Sequence, residues 1–237
     1  MSIFSSKRSL EKSGIFQGFT DCHSHILPGV DDGIQTMDDS LAVLQRYEEL
    51  GFAEVWLTPH IMEDIPNTTA RLRARYEELK VAYHGPITLH LAAENMMDTL
   101  FEKRLAEGDI LPFGQRQDSI LVETSYFNGP QNLFTIIDSI FEKGYFPILA
   151  HPERYLYMDN DDYQRLHERG VRFQSNITSF AGAYGLIEKK KAEYLLSQGW
   201  LYYLGTDIHR LEVFNRIITA NNVSKKVVRG MKELLGR

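Results

Sequence analysis

The stretch TDCHSHILPGVDDG at residues 20–33 decides how the rest of the chain is interpreted. It begins as a candidate strand, and because side chains two residues apart on a strand point to the same face, His23 and His25 can face one point. A Pro-Gly turn follows, and then the adjacent carboxylates Asp31 and Asp32. Neither core packing nor solubility requires this order of residues, so it indicates a functional site at the end of a strand.

Short apolar runs alternate with helical patterns along the whole chain. Apolar runs bounded by turn residues predict seven strands, at residues 19–25, 54–60, 87–94, 119–125, 146–152, 171–176 and 201–207. Apolar spacing typical of helices, ended in each case by glycine, predicts helices at residues 37–51, 67–85, 132–144, 161–170 and 185–199. This alternation is typical of parallel strands joined by right-handed crossovers, which fits either an open doubly wound sheet or a closed barrel.

The position of the polar residues favours the barrel. No glycine-rich phosphate loop follows the first strand, which argues against a dinucleotide-binding sheet. Unusual polar residues instead follow nearly every strand, and a barrel draws its site from all its strand ends, whereas an open sheet uses one switch point. We therefore predict one α/β domain over residues 19–237, preceded by a tail or short docking segment at residues 1–18. Residues 224–237 are predicted to form a basic amphipathic helix.

Composition narrows the classes of function. With 237 residues and 43% apolar content, the chain can bury a sizeable core. Its net charge of −6 argues against binding to nucleic acid through phosphate neutralisation. The one cysteine, Cys22, excludes an internal disulfide and favours a reducing cytoplasm. We expect no membrane insertion, because the sequence contains neither a signal-peptide core nor an apolar run of about 20 residues.

The polar strand ends form a candidate metal site. In chain order they contribute His23, His25, Asp31, Asp32, His60, Glu94, Glu123, His151, Glu153, Arg154, Asn176, Asp207 and His209. Imidazole nitrogens and carboxylate oxygens without thiolates suit zinc, manganese or iron. More ligands are available than one ion needs, so we expect two or three cations that share bridging carboxylates.

Five motifs in this set resemble one protein family. They are DCHSHILPGVDDG, TPH at 58–60, the glutamate of AAEN, HPERY at 151–155 and DIH at 207–209. Together they resemble the PHP superfamily, and within it the bacterial manganese-dependent protein-tyrosine phosphatases of capsule and exopolysaccharide operons, the CpsB/CapC type. The match extends from about residue 19 to about residue 210. The resemblance implies a distorted TIM-like barrel of seven βα units, the PHP fold, around a trinuclear centre that holds manganese, with iron or zinc as alternatives.

The resemblance also assigns individual residues. The metal ligands that it implies are His23, His25, Asp32, His60, Glu94, His151, Asp207 and His209. Arg154 aligns with the arginine that grips the phosphate, which makes it a catalytic and substrate-binding candidate. Two departures from the family pattern concern the substrate: Ile61 stands where a second histidine often follows TPH, and TDIHR replaces the usual SDAHN. The further substrate-binding arginine of the family has no clear counterpart, and Arg210 or Arg216 are the candidates to replace it.

The expected chemistry is the hydrolysis of a phosphate monoester. Clustered cations lower the pKa of bound water toward about 7 and neutralise the ester oxygens, and Arg154 offers a planar fork of donors to the phosphoryl group. We take Glu94, from a central strand, as the bridging carboxylate. A tyrosine leaving group has a pKa of about 10, so a general acid is optional. His209 or Asp207 are the candidates for one.

The implied substrate is phosphotyrosine on a protein, in particular a bacterial tyrosine autokinase that regulates capsular or exopolysaccharide synthesis. Self-assembly into a homo-oligomer is compatible with this function. Alternatives are a small-molecule phosphatase of the histidinol-phosphatase kind, a nuclease-like phosphoesterase, and a catalytically idle barrel that serves as a binding module.

The remaining residues have simpler interpretations. Asp31 is read mainly as a turn residue, Glu123 as a group outside the ligand shell, and Glu153 as part of a loop salt bridge with the neighbouring arginine. Asn176 stays unassigned, and Cys22 is expected in the packing. Aromatic residues near the expected mouth either form a slot for a phenyl ring or pack within loops: Tyr126, Phe127, Tyr155, Tyr157, Phe180 and Tyr184.

Overall fold

A ring of parallel strands surrounded by helices forms the centre of the structure. The computed structural model describes residues 7–220 and 222–236. Within them the strands are β1 (Lys7–Arg8), β2 (Thr20–Ser24), β3 (Glu54–Leu57), β4 (His60–Ile61), β5 (Thr88–Leu91), β6 (Glu94–Met96), β7 (Ser119–Glu123), β8 (Phe146–Ala150), β9 (Arg172–Asn176), β10 (Leu201–Gly205) and β11 (Val223–Ser224). The α-helices are α1 (Met37–Leu50), α2 (Thr69–Ala82), α3 (Thr99–Glu107), α4 (Leu133–Glu142), α5 (Asn160–Glu168), α6 (Leu186–Gln198), α7 (Leu211–Thr219) and α8 (Lys225–Leu235).

Two parallel sheets make up the ring. One has the order β2-β3-β5, and the other has the order β10-β9-β8-β7-β6-β4. The chain passes directly from β3 into β4 and from β5 into β6, which joins the sheets on one side. On the other side, Asp207 N–H donates to His23 O at 2.8 Å and His25 N–H donates to Ile208 O at 3.2 Å. The ring is therefore a distorted barrel of seven strand positions, which confirms the predicted fold class.

Two of the predicted strands are each divided in two. The predicted strand at 54–60 becomes β3 and β4, and the strand at 87–94 becomes β5 and β6. Pro59 has no N–H to donate to a ladder, and the next N–H, that of His60, donates to Asp31 Oδ2 at 3.0 Å instead. The partner strand divides at the same level, because β5 pairs with β3 whereas β6 pairs with β4 and β7. The prediction of single strands was wrong here for this reason.

All five predicted helices are present, with ends shifted by a few residues, and the predicted C-terminal helix is α8. Helices α3 and α7 are additional to those predicted from the sequence. The N-terminus of α3 carries a clear signal, since the Asp98 carboxylate accepts from Phe101 N–H, whereas α7 begins after Arg210 without a side-chain cap. Within the described ranges, none of the helices combines the length and the apolar character needed to cross a bilayer.

Residues 7–18 pack against the barrel. Strand β1 pairs with β11 in antiparallel fashion, and Leu10, Ile15 and Phe16 are buried in the main core. The ring of Phe16 stacks on Phe52 with centroids 5.1 Å apart. Residues 1–6 of the predicted tail, and residue 237 of the predicted C-terminal helix, lie outside the described residues.

A small apolar layer fills the inside of the barrel. It contains Cys22 from β2, Trp56 from β3, Leu121 from β7 and Ile148 from β8. Because β2 and β7 belong to different sheets, these side chains meet only across the interior. Leu121 shares a face of β7 with Glu123, the last residue of that strand, so polar side chains at the strand ends lie directly above this layer.

Replacing Phe16 by alanine tests whether the N-terminal segment belongs to the folded core. The side chain is 1% exposed, so Phe16→Ala should lower the free energy of unfolding by about 3–5 kcal/mol. Urea denaturation followed by circular dichroism measures this change. The control is Val81→Ala on α2, where the side chain is 73% exposed and the change should stay within about 0.5 kcal/mol. Equal stability of the two variants would contradict the assignment.

Candidate metal centre

All eight predicted metal ligands lie together at the C-terminal end of the barrel. Their ligand atoms form overlapping groups in which every atom lies within 4.8 Å of the others: His25, Asp32, His60 and His209; His23, His25 and Asp207; His23, Glu94 and His151; and His60, Glu94 and Glu123. The groups share members, so they form one continuous cluster with room for more than one cation. Glu123 joins the eight predicted residues in this cluster.

Glu94 occupies the centre of the cluster. Its Oε2 lies 3.1 Å from His23 Nε2, 3.2 Å from His25 Nε2 and 3.1 Å from His60 Nδ1. Its Oε1 lies 2.9 Å from His151 Nε2. One carboxylate therefore contacts four imidazoles from three strand ends, which is the position expected of a bridging ligand.

The imidazoles of His23 and His25 turn the same atom toward the cluster. His23 Nδ1–H donates to Gln174 Oε1 at 2.9 Å, and His25 Nδ1–H donates to Asp31 Oδ2 at 2.9 Å. In the neutral form of each ring, Nε2 then carries a lone pair, and the two Nε2 atoms are only 3.1 Å apart. Two lone pairs at this distance repel each other unless positive charge lies between them.

Several buried atoms of the cluster have no hydrogen-bond partner among the described residues. These are Glu94 Oε2, Glu123 Oε1 and His60 Nδ1. His60 Nδ1 lies 3.0 Å from Glu123 Oε1, yet the angles of this contact are not those of a hydrogen bond. A buried polar atom without a partner is costly, and a cation would satisfy all three atoms at once. Nitrogen and carboxylate donors without thiolate fit divalent cations such as manganese, iron or zinc.

The electrostatics of the cluster also demand positive charge. Burial lowers the pKa of His23, but the carboxylates of Glu94 and Asp207 outweigh it and raise the pKa to about 9. Burial raises the pKa of Glu94, but the imidazoles of His23 and His60 bring it well below its usual value. For Asp207, burial likewise raises the pKa, and the neighbouring imidazoles of His23 and His25 bring it well below the usual range. The carboxylates therefore stay ionised and attract protons or metal ions to the cluster.

The outer end of the cluster is open to solvent. Asp32 Oδ1 lies 3.5 Å from His209 Nε2 and 3.6 Å from His60 Nε2. The contact with His209 lowers the pKa of Asp32 to about 2, against the raising effect of its partial burial. His209 Nδ1–H donates to Asp207 O at 3.0 Å, which directs Nε2 toward Asp32.

Two residues of the cluster adopt left-handed backbone conformations. The φ angles are 32° for His151 and 53° for Asp207. His151 precedes Pro152, which disfavours a right-handed helical conformation at this position. Non-glycine residues with such φ angles are strained and concentrate at functional sites.

A cavity of about 390 Å³ opens onto the cluster. Arg154 lies in its wall, with its guanidinium between the rings of Tyr126 and Tyr184 at 4.2 and 4.3 Å from their centroids. Arg154 Nη1 donates to Asp207 Oδ2 at 2.8 Å. The cavity therefore places a fixed cationic fork beside the predicted ligands Asp207 and His209, both of which also line it.

The structure separates the two candidates for the second substrate arginine. Arg210 lines the cavity, whereas Arg216 is exposed on α7 and is not among the lining residues. Among the predicted aromatic residues, Tyr126 and Tyr184 line the cavity, but Tyr155 and Phe180 are buried in the main core. Phe127 is 68% exposed and Tyr157 packs against the core.

Three residues act differently from their sequence interpretations. Asp31 is more than a turn residue, because its carboxylate accepts from His25 Nδ1–H and from His60 N–H. Glu123 reaches the cluster itself. Glu153 makes no salt bridge with Arg154, because neighbouring residues of the short helix at 152–154 point in different directions. Its buried carboxylate accepts instead from the hydroxyls of residues 175 and 179 and the N–H of residue 176.

Gln174 is an additional residue at the cluster that was not predicted from the sequence. The signal available for it was a pair of amide side chains two residues apart, at 174 and 176, at the end of a predicted strand. Both are fully buried.

Known proteins resemble this chain over most of its length. The chain is 27% identical to the tyrosine-protein phosphatase YwqE of Bacillus subtilis over 201 residues, which covers 82% of this chain and 79% of YwqE. It is 23% identical to the tyrosine-protein phosphatase CpsB of Streptococcus agalactiae over 212 residues, covering 81% and 84%.

A crystal structure from work on YwqE of Bacillus subtilis and CpsB of Streptococcus pneumoniae, described as unique metal-dependent tyrosine phosphatases, shares the fold. Its TM-score is 0.77 at 23% identity, over 92% of this chain and 88% of that chain. The family model for capsular polysaccharide synthesis, CpsB/CapC, matches residues 19–233. The chain belongs to the CpsB/CapC family.

Proposed function

We propose that the chain is a metal-dependent protein-tyrosine phosphatase. The observation that carries this proposal is the cluster of imidazoles and carboxylates around Glu94, with Arg154 fixed beside it in the wall of an open cavity. The names of the relatives YwqE and CpsB support the same reaction.

The proposed metal ligands are the eight predicted residues and Glu123. They are His23, His25, Asp32, His60, Glu94, Glu123, His151, Asp207 and His209. The overlapping groups support two or three divalent cations, with Glu94 as the central bridging ligand. We assign manganese as the first choice, and iron or zinc as alternatives, because all the donors are imidazole nitrogens and carboxylate oxygens. When bound, such cations lower the pKa of water toward about 7 and neutralise charge on phosphate oxygens.

Arg154 is the proposed phosphate-binding residue. Its planar guanidinium can donate two parallel hydrogen bonds to phosphoryl oxygens, and the two tyrosine rings restrict its rotation. Charge spreads over those oxygens in the transition state, so this contact should strengthen as the reaction proceeds. Arg210, on the rim of the same cavity, is the proposed second substrate-binding residue.

The phenol leaving group of phosphotyrosine reduces the need for a general acid. A phenol with a pKa of about 10 leaves more readily than an alkoxide, so it requires little assistance. Of the two candidates, Asp207 is disfavoured because its depressed pKa keeps it ionised. His209, which lines the cavity and is partly exposed, is the better placed of the two to donate a proton.

The biological substrate that we propose is a tyrosine-phosphorylated autokinase of a capsule or exopolysaccharide system. The family description, capsular polysaccharide synthesis, supports this setting. We further propose a cytoplasmic location, which the single, unpaired Cys22 supports.

Metal dependence and substrate class can be tested in one assay. Purified protein is first freed of metal with a chelator, and it should then lack phosphatase activity because Arg154 alone cannot activate water. Added Mn²⁺ should restore hydrolysis of para-nitrophenyl phosphate and of a phosphotyrosine peptide. Phosphate release is the measurement, and histidinol phosphate is the competing substrate.

The outcomes separate the candidate functions. Hydrolysis of histidinol phosphate without hydrolysis of the peptide would replace the proposal by a small-molecule phosphatase. Full metal occupancy, measured by elemental analysis, without turnover of any of the three substrates would favour a binding module.

The arginines should differ in their effects on catalysis. Arg154→Lys keeps the charge but loses the planar fork, so kcat/KM for the peptide should fall by about 100-fold or more. Arg210→Ala should raise KM more than it lowers kcat, because the residue lies on the rim. Arg216→Ala is the matched control, because Arg216 lies on helix α7, which begins directly after Arg210. The kinetics of this variant should equal those of the wild type. A normal kcat/KM in Arg154→Lys would remove this residue from the mechanism.

Asp31 should affect metal binding without being a ligand. Asp31→Asn keeps the size of the side chain but weakens the hydrogen bond that holds His25, so the affinity for Mn²⁺ should fall by about 10- to 100-fold. The signal of free Mn²⁺ in electron paramagnetic resonance measures the affinity. Asp38→Asn, on the exposed surface of α1, is the control and should bind Mn²⁺ as the wild type does. An unchanged affinity for Mn²⁺ in Asp31→Asn would show that Asp31 acts only as a turn residue.

A further inference from the structure

Strand β9 contributes none of the proposed metal ligands, yet its end lies against the cluster. Two amide side chains, Gln174 and Asn176, stand two residues apart on it and point to the same face. Both are fully buried, and Gln174 Nε2–H donates to Asn176 Oδ1 at 3.0 Å. We call this pair the amide relay.

The direction of the relay is fixed at the histidine end by a main-chain group. His151 N–H lies 3.3 Å from the side chain of Gln174, and a backbone N–H can only donate, so the atom that faces it must be Oε1. The same Oε1 lies 2.9 Å from His23 Nδ1. His23 Nδ1 must therefore carry a proton, and Nε2 is left to face Glu94.

The direction is fixed at the other end by a carboxylate. Asn176 Oδ1 accepts from Gln174, so Asn176 Nδ2 is the atom that faces Asp207 Oδ2, at 2.7 Å. An ionised carboxylate can only accept, so this end agrees with the histidine end. Arg154 Nη1 and Tyr184 OH also reach Asp207 Oδ2, at 2.8 and 3.3 Å.

Asp207 is thereby left with one oxygen for the cluster. Its Oδ1 lies 3.4 Å from His25 Nε2 and 3.7 Å from His23 Nε2. Together with Arg154 and Tyr184 at Asp207 Oδ2, the relay therefore leaves Nε2 of His23 and Oδ1 of Asp207 facing the same point.

We propose that Gln174 and Asn176 are positioning residues that set the tautomer of His23 and the orientation of Asp207 for metal binding. This inference rests on the proposed metal centre. Outer partners of this kind fix the ring orientation and basicity of ligating histidines. Without the relay, His23 could protonate Nε2 instead, and that form has no lone pair to offer to a cation.

Metal affinity tests the relay. Gln174→Met keeps the length of the side chain but removes its hydrogen bonds with His23, His151 and Asn176, and the affinity for Mn²⁺ should fall by about 10- to 100-fold. Asn176→Leu removes the hydrogen bond to Asp207 and the acceptor of Gln174 Nε2–H, but it leaves Gln174 Oε1 facing His23 and should have a smaller effect. Because the two amides act in series, the double variant should lose no more affinity than Gln174→Met alone. Fold changes that multiply in the double variant would show two independent side chains and overturn the relay.

The tautomer of His23 is the readout that a merely structural role would not change. In full-length protein labelled with ¹⁵N-histidine and loaded with Zn²⁺, the wild type should show His23 bound through Nε2 with a proton on Nδ1. Gln174→Met should lose this single form. Gln174→Glu keeps an acceptor for His23 Nδ1–H and should show the single wild-type form again. The added negative charge of this variant attracts cations by itself, so it is compared by its His23 spectrum and not by its metal affinity. An unchanged His23 spectrum in Gln174→Met would overturn the proposal.

Controls separate the relay from folding and from the proposed function. Gln164→Met makes the same chemical change on the exposed face of α5 and should bind Mn²⁺ normally. Circular dichroism establishes that each variant is folded, and binding is measured with the metal alone. Weakened binding in the relay variants, with no hydrolysis of phosphotyrosine peptide by the wild type, would sustain the relay and refute the function. Normal binding in folded relay variants of an active enzyme would refute the relay and leave the function intact.

Discussion

The convergence of four imidazoles on the single carboxylate of Glu94 is the constraint on which the rest of the structure depends. His23, His25, His60 and His151 bring nitrogen atoms within 3.2 Å of its two oxygens in a region without solvent. Such a group of lone pairs and charges is unstable unless cations lie among them. Everything that surrounds it either holds these side chains in place or gives a substrate access to them.

The barrel and the cluster support each other. The main chains of His23 and Asp207 form one of the hydrogen bonds that close the ring, while their side chains face the same group of ligands. Below them, the apolar layer around Trp56 and Leu121 gives the strand ends a rigid base. Around them, Asp31 and Gln174 each accept a hydrogen bond from the Nδ1–H of a histidine and leave Nε2 to the interior. The geometry of the candidate ligands therefore depends on residues outside the ligand set.

The cavity connects this centre with the substrate that we propose. Arg154 is shared between the two, because it donates to Asp207 and also lies in the cavity wall between two tyrosines. Arg210, which follows His209 in the chain, lines the same cavity. A phosphate group in this cavity would contact the fixed guanidinium of Arg154 and the exposed guanidinium of Arg210. In our proposal Arg154 orients the phosphate in the transition state, whereas Arg210 contributes to the initial binding of the substrate.

The sequence by itself determined the fold class and eight of the nine candidate ligands, because both depend on local patterns. Alternating apolar runs predict parallel strands, and polar residues after nearly every strand favour a barrel, in which histidines and carboxylates at strand ends converge, as His151 and Asp207 do. Only the tertiary structure decided which outer groups hold the ligands and where the strands divide. Asp31 resembles an ordinary turn residue until His25 and His60 are placed beside it, and the amides of β9 acquire a direction only from partners far away in the chain. Hydrogen-bond polarity and angle depend on three-dimensional position, and no local pattern of residue types records them.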